Sequence, residues 1–264
     1  MTKPQLTFIG FGNMAQAIAS GLDKAHFKTI KAAAPSSIKP PIPSWLEITT
    51  DNKQACRDAD CIVLAVKPQV ISTVCQEISQ FIAPNTLIIS IAAGTPISAL
   101  EKFFTPHQAI VRCMPNTPAM VNQGASALIA NPHVSSTHKA LAQQLFEGVG
   151  ITEWLEKEAL IDAVTALSGS GPAYVFLFLE ALIDAAQELG LPSNLAKRFA
   201  IQTVGGACQL ATQSENPIAT LRKNVTSPGG TTAAALGILE ELDFKSIINK
   251  AMVAATNRAK ELGN

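Results

Sequence analysis

The sequence predicts an α/β domain with a mostly parallel sheet, followed by an all-α domain. Two observations lead to this fold class. In the first part of the 264-residue chain, short apolar runs alternate with helical patterns, which is typical of βαβ units and a parallel sheet. After residue 157 the strand pattern ends and only helical segments follow. We therefore expect an α/β domain over residues 1–157 and a helical domain over residues 158–264.

The first predicted domain begins with a buried strand at 5–10, a glycine turn and an alanine-rich helix that continues to about Ala25. Further short apolar runs predict strands, and the segments between several of them have helical spacing. The other predicted strands are 29–33, 61–66, 86–91, 109–113, 124–130 and 150–154, and the other predicted helices are 51–58, 68–80, 97–103 and 135–148.

In the second domain, turns rich in glycine, proline and serine separate the predicted helices, which are 157–167, 171–189, 193–213, 217–223, 230–241 and 244–261. The helix Ala173–Leu189 carries one narrow polar stripe, formed by Glu180, Asp184, Gln187 and Glu188. A helix that is apolar on nearly all sides must be buried on nearly all sides, which is difficult in a small domain. We expect it to intertwine with a second copy of the chain; the alternative is the central helix of a monomeric bundle.

Composition limits the classes of partner. Twenty basic and twenty acidic residues give a formal net charge of zero, with no run of either sign. Nucleic acids and anionic membranes both attract basic patches, so neither is an expected partner. The apolar run at 173–179 stops at Glu180, short of the roughly 20 residues of a membrane span. The N-terminus has no signal-peptide pattern and the five cysteines form no CxxC pair, so we expect buried, reduced thiols and a cytoplasmic protein.

The segment Gly10-Phe11-Gly12-Asn13-Met14-Ala15 follows the first strand and opens the first helix. It fits G-x-G-x-x-A, the dinucleotide-binding pattern. The first glycine permits a tight turn, the second lets the backbone approach a pyrophosphate, and the small alanine lets helix and strand pack closely. The N–H groups at the helix start would then bind the phosphates. This position in a βαβ unit predicts a Rossmann-like cofactor site.

The end of the second strand indicates which dinucleotide binds. NAD-binding chains usually carry a carboxylate there for the ribose 2′-OH. The segment 32–39 has no carboxylate but has Ser36, Ser37 and Lys39, which suits a 2′-phosphate. We expect NADPH as the cofactor, with NADH use left open because no arginine is present to clamp the phosphate.

Small residues and prolines follow three further strands, at 65–68 (AVKP), 90–94 (SIAAG) and 114–118 (MPNTP). The carboxyl ends of parallel strands meet at one edge of the sheet, where such folds bind ligands. We expect these segments to keep a rigid, open crevice there.

Together these segments resemble a known family. GFGNMA, AVKP, SIAAG, RCMPNTP, LSGSGPAYVF and VTSPGGTT occur in the order and spacing of pyrroline-5-carboxylate reductases, over essentially the whole chain. The resemblance implies a Rossmann-like domain and a helical dimerisation domain, with dimers that often assemble into decamers. It also implies NAD(P)H-dependent reduction of L-1-pyrroline-5-carboxylate to L-proline, the last step of proline biosynthesis.

The resemblance also implies site residues. The implied cofactor contacts are Ile9, Gly10, Phe11, Gly12, Asn13, Met14, Ser36, Asn52, Ala65, Val66, Lys67, Pro68, Ala92 and Ala93. The implied substrate contacts are Ser170, Glu215, Asn224, Gly230, Thr231 and Thr232. Two positions depart from the family pattern: Ala34 replaces a hydroxyl residue, which weakens the preference for NADPH, and Lys223 replaces an aspartate, for which we have no functional explanation.

The implied substrate is a small cyclic imine with a carboxylate. The segments 168–172 (SGSGP) and 226–230 (TSPGG) both have the pattern of helix starts, with hydroxyl caps and a first-turn proline. Free N–H groups at two such starts would hold the carboxylate without arginine. If the imine binds in its protonated form, no proton donor is needed, and a hydroxyl beside the ring nitrogen is sufficient. Thr232 is the candidate. The four histidines lie outside the motifs, and we expect no metal site.

Two other functions compete with this one. A β-hydroxyacid dehydrogenase shares the two-domain plan but needs a catalytic lysine on the helix after a glycine-rich loop. Here no lysine follows SGSGP until Lys197. A non-catalytic NADP-binding sensor would not require the intact SPGGTT segment.

Overall fold

A computed structural model describes residues 3–34 and 42–263 of the chain. Its first part contains a single eight-stranded sheet with the strand order β3-β2-β1-β4-β5-β6-β7-β8. All neighbouring strands are parallel except β6 and β7, which are antiparallel. This is the predicted α/β class with a mostly parallel sheet. The strands are β1 Gln5–Ile9, β2 Thr29–Ala33, β3 Glu47–Thr49, β4 Cys61–Leu64, β5 Leu87–Ser90, β6 Ile110–Met114, β7 Gly124–Ala130 and β8 Gly150–Trp154.

The central strands are buried on both faces of the sheet, which explains why they are continuous apolar runs in the sequence. Alternate residues of one strand enter different clusters. Phe8 and Val63 pack on one side, together with Phe146 from the helix before β8. Ile62 and Leu64 pack on the other. Two apolar cores therefore hold the carboxyl ends of the strands in fixed positions.

The helices of this part are α1 Asn13–Ser20, α2 Asn52–Cys56, α3 Pro68–Ile78, α4 Ile97–Leu100, α5 Ser136–Glu147 and α6 Leu160–Val164. The first helix ends earlier than the predicted Ala25. Gly21 is its C-cap, and a Cβ at this position would clash with Val149 and Gly148. The strand β3 was not predicted. This strand has only three residues, pairs with β2 alone and has no buried residue, so it has no apolar pattern.

The chain divides into two compact units. The first comprises the chain up to Ser170 together with the residues from Ala255 onwards, and the second is Gly171–Ala254. The domain boundary that we placed near residue 157 stays a prediction. Within the first unit, the end of the last helix lies against the loop after β5. A Cβ on Gly94, whose φ is +75°, would lie 2.9 Å from the Leu262 carbonyl oxygen.

The second unit is helical, as predicted. Its helices are α7 Gly171–Glu188, α8 Ser193–Gln213, α9 Ile218–Asn224, α10 Thr231–Glu241 and the first part of α11 Phe244–Leu262. Within this unit α7 packs against α8. None of the residues of α7 is buried by the chain itself. Phe176 and Leu177 are 60% and 66% exposed, so a large apolar surface of α7 is not covered within one chain.

The helical stretch Leu160–Glu188 is long and apolar enough to cross a membrane, by length and composition only. The uninterrupted apolar run before Glu180 is too short for a membrane span, whereas the whole helical stretch has 29 residues and few charges. Core helices of soluble proteins pass the same test, so this finding is weak evidence for a membrane span.

The cysteines are unpaired, and four of the five are buried. Burial raises the pKa of the Cys56 and Cys75 thiols to about 12. The prediction of a buried thiol is wrong for Cys208, which is exposed on α8 within this chain. Most of the residues around Cys208 on α8 are also exposed. The residue type alone does not indicate this exposure.

Candidate active site

The strand order places a crevice between β1 and β4. In a doubly wound sheet, ligands bind where the strand order reverses, at the carboxyl ends of the strands. The loops after β1 and β4 meet at this point, and a pocket of about 330 Å³ lies between them. Its lining residues are Gly12, Asn13, Met14, Ala15, Ala65, Val66, Lys67, Ile91, Met114 and Pro115.

Gly10 makes the turn after β1. Its φ is +84°, and a Cβ there would lie 2.6 Å from the Ala65 carbonyl oxygen and 2.8 Å from Cγ1 of Val66. The Gly10 N–H donates to the Ala33 carbonyl at 2.8 Å, which ties the turn to β2. Both the backbone angle and the close approach of β4 therefore require glycine at this position.

Gly12 is required for a different reason. It is the N-cap of α1, and no atom of the described structure lies within 4 Å of the position of a Cβ on Gly12. No side chain in the described ranges caps this helix. The N–H groups of the first turn lack partners within an α-helix, and they begin at Asn13. These N–H groups and the open space beside Gly12 are the features with which a helix start binds a pyrophosphate.

A second helix begins at the same edge of the sheet. Pro68 is the first residue of α3, where its missing N–H costs nothing, and Lys67 is the N-cap. Lys67 is exposed, and among the described residues that line the pocket it alone carries a charge. The ammonium group of Lys67 is therefore available to a phosphate.

The structure brings six of the predicted cofactor residues together at the pocket: Gly12, Asn13, Met14, Ala65, Val66 and Lys67. Others lie beneath or beside it. Ile9 and Phe11 are buried in the two cores, and Ala92 is buried with its N–H donating to the Ser90 hydroxyl at 3.3 Å. Ala93 is half-buried in the same loop. Gly10 forms the turn before α1, and Pro68 is the first residue of α3.

Two predicted cofactor residues have no observed place at this pocket. Asn52 is the first residue of α2, and its side-chain amide donates to a carboxylate oxygen of Glu77 at 3.0 Å. Ser36 lies outside the described residues, and its contact with the cofactor stays a prediction. Conversely, Ile91, Met114 and Pro115 line the pocket but were not assigned to it. They lie at the strand ends that the sequence marked as a crevice, so that signal was present without a specific residue.

α7 begins within the segment SGSGP, at Gly171, as predicted, but the predicted hydroxyl cap with free N–H groups is wrong. Residues 165–169 form a π-helix that joins α6 to α7, and Ser170 keeps a helical backbone. The Ser168 hydroxyl donates backwards to the Val164 carbonyl at 3.2 Å, and the Ser170 N–H donates to the Thr165 carbonyl at 2.8 Å. The hydroxyl of Ser168 and the N–H of Ser170 are thus used by the preceding turn. Ser170 itself is half-buried in the first unit.

In the second unit, α10 does begin at the predicted segment, with Gly230 as its N-cap and Thr231 as its first residue. The predicted cap and first-turn proline are wrong, because the Thr226 hydroxyl donates to the Arg222 carbonyl at 2.7 Å and Pro228 precedes the helix. The Gly230 N–H donates to the Ser227 carbonyl at 3.1 Å. No side chain of the described chain caps α10, and the first N–H groups of an α-helix have no partner within the helix.

The remaining predicted substrate residues also belong to the second unit. Asn224 ends α9, and Glu215 lies in the turn before α9; both are exposed. Thr232 is half-buried in the first turn of α10, whereas Thr231 is exposed. Asn224 and Thr232 therefore lie on either side of the short α9–α10 turn. Their contact with a substrate stays a prediction.

A doubly wound sheet with a glycine turn and an open helix start at its switch point defines a dinucleotide-binding α/β protein, the class that includes nicotinamide-dependent oxidoreductases. Comparison with known proteins gives the particular family. The family model described as "Pyrroline-5-carboxylate reductase dimerisation" matches residues 158–262, and the model described as "NADP oxidoreductase coenzyme F420-dependent" matches residues 5–94.

Relatives match over the whole chain. The pyrroline-5-carboxylate reductase of Pseudomonas aeruginosa is 44% identical over 267 residues, which cover 99% of this chain and 98% of that protein. The crystal structure of the Plasmodium falciparum pyrroline carboxylate reductase with NADP bound has a TM-score of 0.89 at 36% identity and covers 100% of both chains. The structure of the Coxiella burnetii enzyme has a TM-score of 0.91 at 40% identity, also covering 100% of both. The chain belongs to the pyrroline-5-carboxylate reductase family.

Proposed function

We propose that this protein is an NAD(P)H-dependent oxidoreductase that reduces L-1-pyrroline-5-carboxylate to L-proline, the last step of proline biosynthesis. The observation that carries the proposal is the full-length similarity to pyrroline-5-carboxylate reductases, which includes both the pocket after β1 and the SPGGTT segment. The pocket supplies the physical basis for a dinucleotide, and the glycine-rich start of α10 supplies one for a small carboxylate.

The pocket fits a nicotinamide dinucleotide. The open position in front of Gly12 is a cradle that a side chain would fill, and Lys67 adds a positive charge. A related structure carries NADP. The Asp51 side chain, which follows β3, accepts hydrogen bonds from the N–H groups of Lys53 and Gln54 and so caps α2. This carboxylate has a structural role and is not assigned to the ribose of the cofactor. NADPH is the proposed cofactor, and NADH use stays open.

When bound, the cofactor supplies the hydride that reduces the C=N bond. The residues of this chain bind and orient the imine. Protonated pyrroline nitrogen already carries the positive charge that reduction neutralises, so the site needs no strong acid. The first N–H groups of α10 hold the substrate carboxylate, and the Thr232 hydroxyl hydrogen-bonds at the ring nitrogen. Near-attack geometry then contributes several kcal/mol to catalysis.

The two competing functions are less well supported. An alcohol-oxidising relative of the β-hydroxyacid dehydrogenases would need a lysine after the glycine-rich segment, and α7 has none. A non-catalytic NADP sensor would have no reason to keep the glycine-rich start of α10.

Kinetic assays distinguish these functions. We expect NADPH oxidation with pyrroline-5-carboxylate and none with a panel of β-hydroxyacids. Activity with hydroxyacids alone, or dinucleotide binding without turnover of the imine, would contradict the proposal. In a second assay, kcat/KM with NADPH should equal or exceed that with NADH; a preference for NADH of more than about tenfold would exclude the cofactor assignment.

The same proposal includes assembly. The helical part matches a dimerisation domain, and α7 exposes apolar side chains that one chain does not cover. We infer a homodimer formed through residues 158–264, with association of dimers into a decamer as a further step. A small-molecule substrate, no nucleic-acid or membrane partner and a cytoplasmic location complete the proposal.

A further inference from the structure

The helical stretch that contains SGSGP lacks one of its own hydrogen-bond donors. In an α-helix the carbonyl of residue 168 accepts the N–H of residue 172. Residue 172 is proline, which has no N–H and whose ring would crowd that carbonyl. Residues 165–169, which include residue 168, form a π-helix, a feature often found at functional sites. The Ser168 carbonyl therefore needs a donor from outside the α-helical pattern.

Asn116 supplies this donor. Its Nδ2 donates to the Ser168 carbonyl at 3.1 Å, and its Oδ1 accepts the Ala125 N–H at 2.8 Å. The side chain is 8% exposed, so water does not replace these bonds easily. One partner is a carbonyl and the other an N–H, so the orientation of the amide is fixed by its partners. Asn116 thus links the beginning of β7 to the π-helical segment.

A second contact joins the same two segments. A Cβ on Gly169 would lie 2.6 Å from Cε of Met114, so the Met114 side chain packs directly on the glycine. Met114 and Pro115 line the cofactor pocket. One short segment, Met114–Asn116, therefore contacts the pocket on one side and Ser168–Gly169 on the other. All of these residues lie within the first unit.

We propose that Asn116 is a positioning residue for the reduction. Its amide replaces the N–H that Pro172 lacks and fixes the Ser168–Ser170 segment at the Met114 side of the pocket. Ser170, the predicted substrate contact in that segment, is then held in place for the imine. Asn116 acts through this segment and touches neither reactant. This inference rests on the proposed function for its catalytic part only.

The test uses the full-length protein with the substitutions Asn116→Asp and Asn116→Ala. Aspartate keeps the acceptor for Ala125 but turns a carboxylate oxygen towards the Ser168 carbonyl, whereas alanine removes both bonds. We expect KM for pyrroline-5-carboxylate to rise and kcat/KM to fall about 10–100-fold in Asn116→Asp. The Kd of NADPH should stay within about threefold, because the phosphate-binding turn is untouched. Asn116→Ala should show the same selective effect.

Asn131→Asp is the matched control. Asn131 is also a buried amide, at the opposite end of β6: its Oδ1 accepts the Ile110 N–H, and its Nδ2 donates to the Gln108 carbonyl and to a Glu101 carboxylate oxygen. It undergoes the same chemical change away from the pocket. We expect lower stability in this control with KM for the imine unchanged. A loss of correctly folded protein alone would lower kcat in proportion and leave KM as it was.

Amide hydrogen exchange provides a readout that does not depend on activity. In Asn116→Asp the Ser170 amide should exchange about tenfold faster than in the wild type, and in Asn131→Asp it should not. Unchanged exchange and unchanged KM in a folded Asn116 variant would overturn the inference, as would an equal rise in KM in the control. If Asn116→Asp fails to fold, Asn116→Ala decides. If the wild type does not reduce the imine, the proposed function fails, and exchange still tests the role of Asn116.

Discussion

Gly10 and Gly12 lie two residues apart in the turn after β1, and the space around their missing side chains differs. A Cβ on Gly10 meets the backbone of Ala65, and the φ of +84° is strained for any other residue. A Cβ on Gly12 meets nothing. At the scale of single residues, one glycine therefore serves folding and the other serves the ligand.

This difference predicts opposite phenotypes. Gly10→Ala should destabilise the protein by more than about 1 kcal/mol, because the turn must move away from β4. Gly12→Ala should unfold like the wild type but lose affinity for NADPH, because its methyl group occupies the place of the pyrophosphate. Denaturant unfolding and a fluorescence titration measure the two effects. A stable Gly10→Ala protein, or a Gly12→Ala protein with wild-type affinity, would refute the assignment.

Thr232 gives a second prediction at this scale. We expect Thr232→Ala to lower kcat/KM for the imine about 10–1000-fold, the value of one hydrogen bond to a charged partner at about 1.5–3 kcal/mol. NADPH affinity should barely change, because the phosphate-binding turn lies after β1. Thr232→Ser should recover much of the activity, since it restores the hydroxyl. Near-normal kcat/KM in Thr232→Ala would mean that the backbone of α10 alone binds and orients the imine.

At the scale of elements, the π-helical segment leads into α7, where Pro172 lacks an N–H, and it accepts a hydrogen bond from Asn116, which follows β6. Pro172→Ala supplies the missing N–H, so the Ser168 carbonyl no longer depends on Asn116. We expect Asn116→Ala to cost about 1 kcal/mol of unfolding free energy in the wild type and less in the Pro172→Ala background. Urea unfolding of the four proteins of this double-mutant cycle measures the coupling. Additive effects would show that Asn116 does not replace the proline N–H.

Two glycine-rich segments, G-x-G-x-x-A and SGSGP, show how much of the local structure can be predicted from the sequence. G-x-G-x-x-A was interpreted correctly as a turn and helix start because all of its determinants are local. SGSGP carries the same local signals of a helix start, namely hydroxyls, glycines and a proline. The chain nevertheless continues through the π-helical segment into α7 without a cap, and the Ser168 carbonyl accepts the Asn116 amide from 52 residues away. A long-range donor leaves no trace in the local pattern.

The order of the strands in the sheet explains other differences between the predicted and the observed structure. The apolar runs predicted the central strands, since strands buried on both faces have no other pattern. β3 was missed because a short edge strand buries no residue. Ile91, Met114 and Pro115 were not assigned to the pocket because their place there depends on β5 and β6 following β4 in the sheet. Motif spacing alone does not specify this order.

At the scale of the whole molecule, the exposed side chains of α7 predict the effect of a charge. We expect the wild-type protein to be a dimer or larger at micromolar concentration, and Phe176→Glu to weaken the dimer about tenfold or more. Ile151→Glu is the control, because Ile151 is 67% exposed on β8, in the first unit. Light scattering over a dilution series measures both. A monomeric wild type, or equal weakening by both variants, would refute the proposed interface.

The contact between Gly94 and Leu262 has a consequence for the order of synthesis. On the ribosome Gly94 emerges before any of the second unit is made, and Leu262 emerges after all of it. The first unit therefore cannot be completed as the nascent chain emerges, although domains generally fold as units from the N-terminus. The long intervening chain adds little to the equilibrium cost, since loop-closure entropy grows slowly with length. The last turn of α11 can reach the loop after β5 only when translation of both units is finished.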